Sequence, residues 1–114
     1  NEDSAYVLDK YLNKKSLGKW NLIIGMLRNR DVKDFVNIFK NNINKVFAIR
    51  IPDIASSYTP DQIIVKLKKS GLHVVPAKNL ENALQIAEKE LPLLITGSLY
   101  LAGYTLRFNQ TKIN

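Results

Sequence analysis

Short apolar runs alternate along this chain with stretches whose apolar residues recur every three or four positions, and that alternation constrains the fold most. The runs are NLIIGML at 21–27, KVFAIRI at 45–51, HVV at 73–75 and PLLIT at 92–96. Apolar residues on consecutive positions mark a strand covered on both faces, as parallel strands are. The interleaved stripes mark helices with one buried face. Parallel strands need crossover connections, and right-handed crossovers gather the loops that leave the strands at one edge of the sheet. The chain therefore reads as one Rossmann-like α/β domain over residues 1–114, with a mostly parallel sheet and helices on both faces. The order of the strands is not readable from the pattern.

The helices carry local signals. A first helix is expected over 3–14, with Ala5, Leu8 and Leu12 on one face. Asp31 is placed to cap a second, in which Val32, Phe35, Val36, Phe39 and Ile43 follow the helical spacing. TPDQ at 59–62 reads as a capping box, with Thr59 as the cap, Pro60 in the first turn and Gln62 reaching back. That helix should bury Ile63, Ile64 and Leu67 and stop at Gly71, in a left-handed conformation. Asn79 caps another, with Leu80, Ala83, Leu84 and Ala87 inward. Phe35, Phe39, Leu84 and Ile95 are expected in the core.

Several function classes recede on composition. With no cysteine there is no disulfide framework and no thiolate metal site, which is compatible with a cytoplasmic protein. No apolar run approaches the roughly 18–20 residues that a membrane helix needs, so no membrane association is expected. The net charge of +7 invites a nucleic-acid reading. Its lysines are scattered, however, and no aromatic residues alternate with them as a stacking surface would require. The densest group, KLKKS at 66–70, falls on the solvent side of a helix end, where cations are favourable. A solvated basic surface is the reading adopted, and a nucleic-acid partner is not expected. The phosphate-binding patterns G-x-x-x-x-G-K-[ST] and G-x-G-x-x-G are both missing, and the one histidine, His73, opens a strand. The chain has no complete catalytic apparatus of its own.

Two clusters fall at the ligand-facing edge. In LLITGSLYLAG, 93–103, an apolar strand stops at Thr96-Gly97-Ser98 and gives way to helical spacing. A glycine for the turn and a serine for the cap explain the pair without any ligand and are the reading that the local pattern favours, with a binding role as the alternative. In GMLRNRD, 25–31, Arg28 and Arg30 lie between a strand end and the helix cap Asp31. Two arginines there suit a carboxylate or a phosphate, or are simply solvated.

Together, GMLRNRD before an amphipathic helix and LLITGSLYLAG near the end resemble the C-terminal domain of folylpolyglutamate synthase/dihydrofolate synthase, of the Mur ligase superfamily. The family pattern runs glycine-methionine-leucine, then lysine-aspartate, and later threonine- or cysteine-glycine-serine. The resemblance covers nearly all of the chain, with IPDIASSYTPDQI and NLENALQIAEKE where the family has a loop-helix and a helix. Arg30 stands where the family has lysine, and Asn29 where it usually has aspartate or threonine. The family also carries aspartate-glycine-alanine-histidine-asparagine just before the first helix of this domain. Asn1 matches the last residue of that motif and is its implied cofactor-binding residue.

The resemblance implies a domain of a cytoplasmic ligase that activates a carboxylate with ATP and Mg2+. The acyl phosphate is then attacked by the amino group of glutamate, which extends a folate tail or joins dihydropteroate to glutamate. Arg30, Gly97 and Ser98 are the implied substrate-binding residues. The P-loop and the magnesium ligands would lie in an N-terminal ATPase domain, the implied partner. On this view the chain, which opens without Met, is a fragment of a monomeric enzyme, holds no cofactor alone and is inactive in isolation. The rival readings are a free-standing α/β binding or regulatory domain for a small anion, and a basic nucleic-acid binder.

Overall fold

The computed structural model describes residues 2–15, 18–87, 89 and 91–97. In chain order it has α1 (Glu2–Lys15), β1 (Trp20–Gly25), α2 (Val32–Phe39), a 3-10 turn (Lys40–Asn42) and β2 (Ile43–Ala48). After these come α3 (Pro60–Lys66), β3 (His73–Pro76), α4 (Leu80–Ile86) and β4 (Leu93–Gly97). Among the described residues the strands form a four-stranded sheet in the order β3-β2-β1-β4, and each of these pairings is parallel. Among the described residues no helix is long and apolar enough to cross a membrane.

Side chains alternate across the strands and so divide the core in two. Leu22, Ile24, Val46, Ala48 and Leu94 face α1, α2 and α3, where they meet Ala5, Leu12, Phe35, Phe39, Ile63 and Leu67. Ile23, Phe47 and Ile49 face the other way, onto Leu80 and Ala83 of α4 and Ala87 just after it. The topology accounts for this division. From β1 to β3 the chain steps across the sheet in one direction, so α2 and α3 share a face. The connection from β3 to β4 runs back past β2 and β1, and a right-handed crossover then puts α4 on the opposite face.

The local signals act as their chemistry requires. The Asp31 carboxylate accepts from the Asp34 amide at 2.9 Å. Thr59 and Gln62 form the complete capping box, with Pro60 in the first turn. Asn79 accepts from Asn82 N at 2.8 Å. Gly71 has φ +84, the left-handed stop anticipated for it, although α3 itself ends at Lys66 and turns through Leu67–Ser70.

Several expectations shift. Ile43 is buried but opens β2 rather than continuing α2, because Lys40–Asn42 tighten into a 3-10 turn at two asparagines that favour turns over helix. Phe35 and Phe39 are buried, whereas Leu84 and Ile95 are only half-buried. Both belong to the face that α4 covers, and Ile95 also lies on β4, an edge strand among the described residues. Gly97 is not in the turn but is the last residue of β4, in register with Gly25. Ser98, and the helix expected after it, lie outside the described residues, as does Asn1.

Candidate functional site

Strand order reverses between β1 and β4, since β1 connects onward to β2 on one side while β4 arrives on the other. Crevices for ligands in parallel α/β sheets open at such a switch point, beyond the carboxyl ends of the two strands. Here those ends are Gly25 and Gly97, paired with each other.

The pair is packed backbone to backbone. Gly97 has φ +148, and a Cβ built on it would fall inside the Gly25 carbonyl. A Cβ on Gly25 would meet the Ile49 carbonyl oxygen and Ile51 Cγ1, each at 3.2 Å. Glycine at 97 is therefore required by the approach of β1, whatever else it does.

Beyond Gly25, the segment 26–30 is bound to the loop that leaves β2. Leu27 and Ser57 form an antiparallel bridge. The Arg28 amide donates to the Ser56 carbonyl at 2.9 Å, and the Tyr58 amide to the Met26 carbonyl at 2.8 Å. The buried Ser57 hydroxyl closes the join. It accepts from the Ile51 amide at 3.0 Å and donates to the Tyr58 carbonyl at 2.9 Å. Replacing Ser57 with Ala should leave the Ile51 N–H buried without its acceptor, at a cost of about 1–3 kcal/mol. The midpoint of urea unfolding measures this, and an unchanged midpoint would mean that the loops hold without the hydroxyl.

The two arginines, equivalent in the sequence, now separate. Arg28 donates from Nη1 to the Ala55 carbonyl at 3.1 Å, and Arg50 reaches the same oxygen at 3.4 Å. Arg28 is thus engaged in holding the loop. Arg30 is exposed, and its guanidinium has no hydrogen-bond or ion-pair partner among the described residues. Its backbone is held, with the amide donating to the Leu27 carbonyl at 3.0 Å and the carbonyl accepting from Tyr58 Oη at 2.8 Å. The N-terminus of α2 is already met by the Asp31 carboxylate, so attraction for an anion at this edge comes from the Arg28, Arg30 and Arg50 guanidiniums, of which Arg30 alone has no donor in use among the described residues. The fold brings the loop carrying Arg30 and the end of β4 carrying Gly97 to the same edge, on neighbouring strands. Ser57 and Tyr58, which organise this edge, sit in the polar stretch PDIASSYTP, where nothing local marks them.

No three of Asp, Glu, His or Cys come together as a metal site among the described residues. The described residues thus offer no ligand set that fits a divalent cation.

The site is thus the switch-point edge of a parallel α/β domain, carrying an arginine without a partner among the described residues. Solved structures give that arrangement a context. Folylpolyglutamate synthase of Thermotoga maritima matches with 25% identity and a TM-score of 0.80, over 100% of this chain and 27% of that one. The Mycobacterium tuberculosis folylpolyglutamate synthase complexed with ADP and AMPPCP matches with 17% identity and a TM-score of 0.81, over 99% and 29%. The bifunctional folylpolyglutamate synthase/dihydrofolate synthase of Yersinia pestis, complexed with AMPPNP and a Mn ion, matches with 16% identity and a TM-score of 0.77, over 97% and 27%. This chain thus spans less than a third of each of these structures. No family model matches it, and neither does any curated protein sequence. The resemblance carried by GMLRNRD and LLITGSLYLAG is borne out in the fold.

Proposed function

We propose that this chain is the C-terminal, glutamate-presenting domain of an ATP-dependent ligase that adds glutamate to folate or dihydropteroate. A partner N-terminal domain of the same chain would bind the nucleotide and Mg2+, and ATP would supply the phosphoryl group that activates the substrate carboxyl. The contribution of this chain is to hold the incoming amino acid. Arg30 offers charge-assisted donors to a glutamate carboxylate, and its planar fork can engage both oxygens. Gly97 keeps the end of β4 free of a side chain, and Ser98, the next residue in the sequence, would supply a hydroxyl. With the carboxylate anchored, the amino group is delivered to the acyl phosphate in one orientation, which removes much of the entropic cost of a bimolecular step.

The observation that supports this reading is an exposed Arg30 guanidinium, without a partner among the described residues, on the loop that leaves β1, next to Arg28, which holds the Ala55 carbonyl. In the full-length ligase, Arg30→Ala should raise the KM for glutamate about 10- to 100-fold, equivalent to about 1.5–3 kcal/mol for a hydrogen bond to a charged group. The KM for ATP should stay unchanged, and Ser98→Ala should act in the same direction. An effect confined to ATP would assign the crevice to the nucleotide instead. The isolated chain should bind no nucleotide productively and turn over no ATP.

A further inference from the structure

Tyr58 joins two parts of the structure that are far apart in sequence. Its ring is buried in the core beneath α2 and α3, with 7% of the residue exposed. Its hydroxyl emerges at the edge and donates to the Arg30 carbonyl at 2.8 Å. Its own amide donates to the Met26 carbonyl, just past the end of β1. One residue therefore grips both ends of the segment that carries Arg30. The Arg30 guanidinium has nothing among the described residues to hold it, so the placement of its Cα decides where the charge stands. The Tyr58 hydroxyl is the one side chain among the described residues seen to fix that peptide. A long side chain on a loose turn samples many positions, and pre-ordering its base lowers the cost of ordering it on a ligand.

We propose that Tyr58 is a positioning residue for Arg30, setting the affinity for the carboxylate substrate through the bond from its hydroxyl to the Arg30 carbonyl. This rests on the reading of Arg30 as the carboxylate donor. Tyr58 does not touch substrate. It restrains the turn so that the guanidinium meets the carboxylate without first being ordered. Removing the hydroxyl while keeping the ring leaves the core contacts in place and frees the turn.

The test uses Tyr58→Phe, Arg30→Ala and the double variant in the full-length ligase, with glutamate and ATP as the varied substrates. Tyr58→Phe is expected to raise the KM for glutamate about three- to tenfold, as for loss of one hydrogen bond. The KM for ATP and the thermal unfolding midpoint should hold. In the double variant the glutamate KM should match that of Arg30→Ala alone, because the hydroxyl acts only through that side chain. Three results would overturn the proposal while leaving the role of Arg30 intact. One is an unchanged glutamate KM in Tyr58→Phe. Another is an effect that multiplies with that of Arg30→Ala. The third is a Tyr58→Phe chain that fails to fold or loses both substrates equally. A glutamate KM unmoved by Arg30→Ala would instead remove the reading on which the proposal stands.

Discussion

Gly97→Ala is expected to destabilise the domain by about 2–6 kcal/mol, combining backbone strain with overpacking. At φ +148 an L-residue is strained in any surroundings, and here its Cβ would also fall inside the Gly25 carbonyl. Relief requires β4 to move away from β1, which breaks the register of the whole pair, from Asn21 with Leu93 to Gly25 with Gly97. A domain of this size is stable by only about 5–15 kcal/mol. Gly25→Ala should cost less, because Ile51 Cγ1 is the end of a side chain that can shift, although the Ile49 carbonyl cannot. Urea unfolding of both variants checks the order. Equal and small losses would mean that the strands separate easily at this edge. A large stability loss in Gly97→Ala would also show why a defect there cannot be read as loss of a substrate contact.

Phe39→Ala is the other large effect expected, at about 3–5 kcal/mol. Phe39 has no exposed surface and meets Phe35 edge to face, with ring centroids 5.3 Å apart. It lies on the face covered by three helices, where little can move into the space left behind. Leu84→Ala should cost only about 1–2 kcal/mol, since its half-buried side chain already meets solvent. Unfolding midpoints for the two variants test whether the two faces of the sheet differ as described. A Leu84→Ala loss equal to that of Phe39→Ala would contradict the difference.

What could be read in the sequence is what local chemistry decides. A strand buried on both faces has to be apolar at each position, so LIIG and VFAI announce themselves. Asp31, Thr59 and Asn79 cap helices through bonds that span only three residues. What could not be read depends on contacts between distant segments. Asn21 stands in an apolar run and is fully buried, its Oδ1 accepting from Asn44 of β2 at 3.0 Å. Arg28 and Arg30 became distinguishable only once the loop after β2 folded back and offered Ala55 to one of them. Gly97 looked like a turn residue because Gly-Ser is a turn signal. Its place at the end of β4 follows from the register with β1, which no short motif encodes. Leu84 and Ile95 carry apolar side chains at the proper spacing, but how far they are buried depends on how much of that face α4 covers.

The strand order β3-β2-β1-β4 also bears on how the molecule is assembled. As a chain emerges from its N-terminus, β1, β2 and β3 can pair in succession, each with the strand before it. β1 then stands with one edge complete and the other bare until β4 has been made. Closing that last pair brings together segments separated by most of the described chain, and such long-range contacts form slowly. During the interval the open edge of β1 presents unpaired N–H and C=O groups beside Leu22 and Ile23, a surface prone to pairing with other chains. Among the described strands, the edge on which Gly25 meets Gly97 is thus the last to close and the one most exposed to misassembly while it waits.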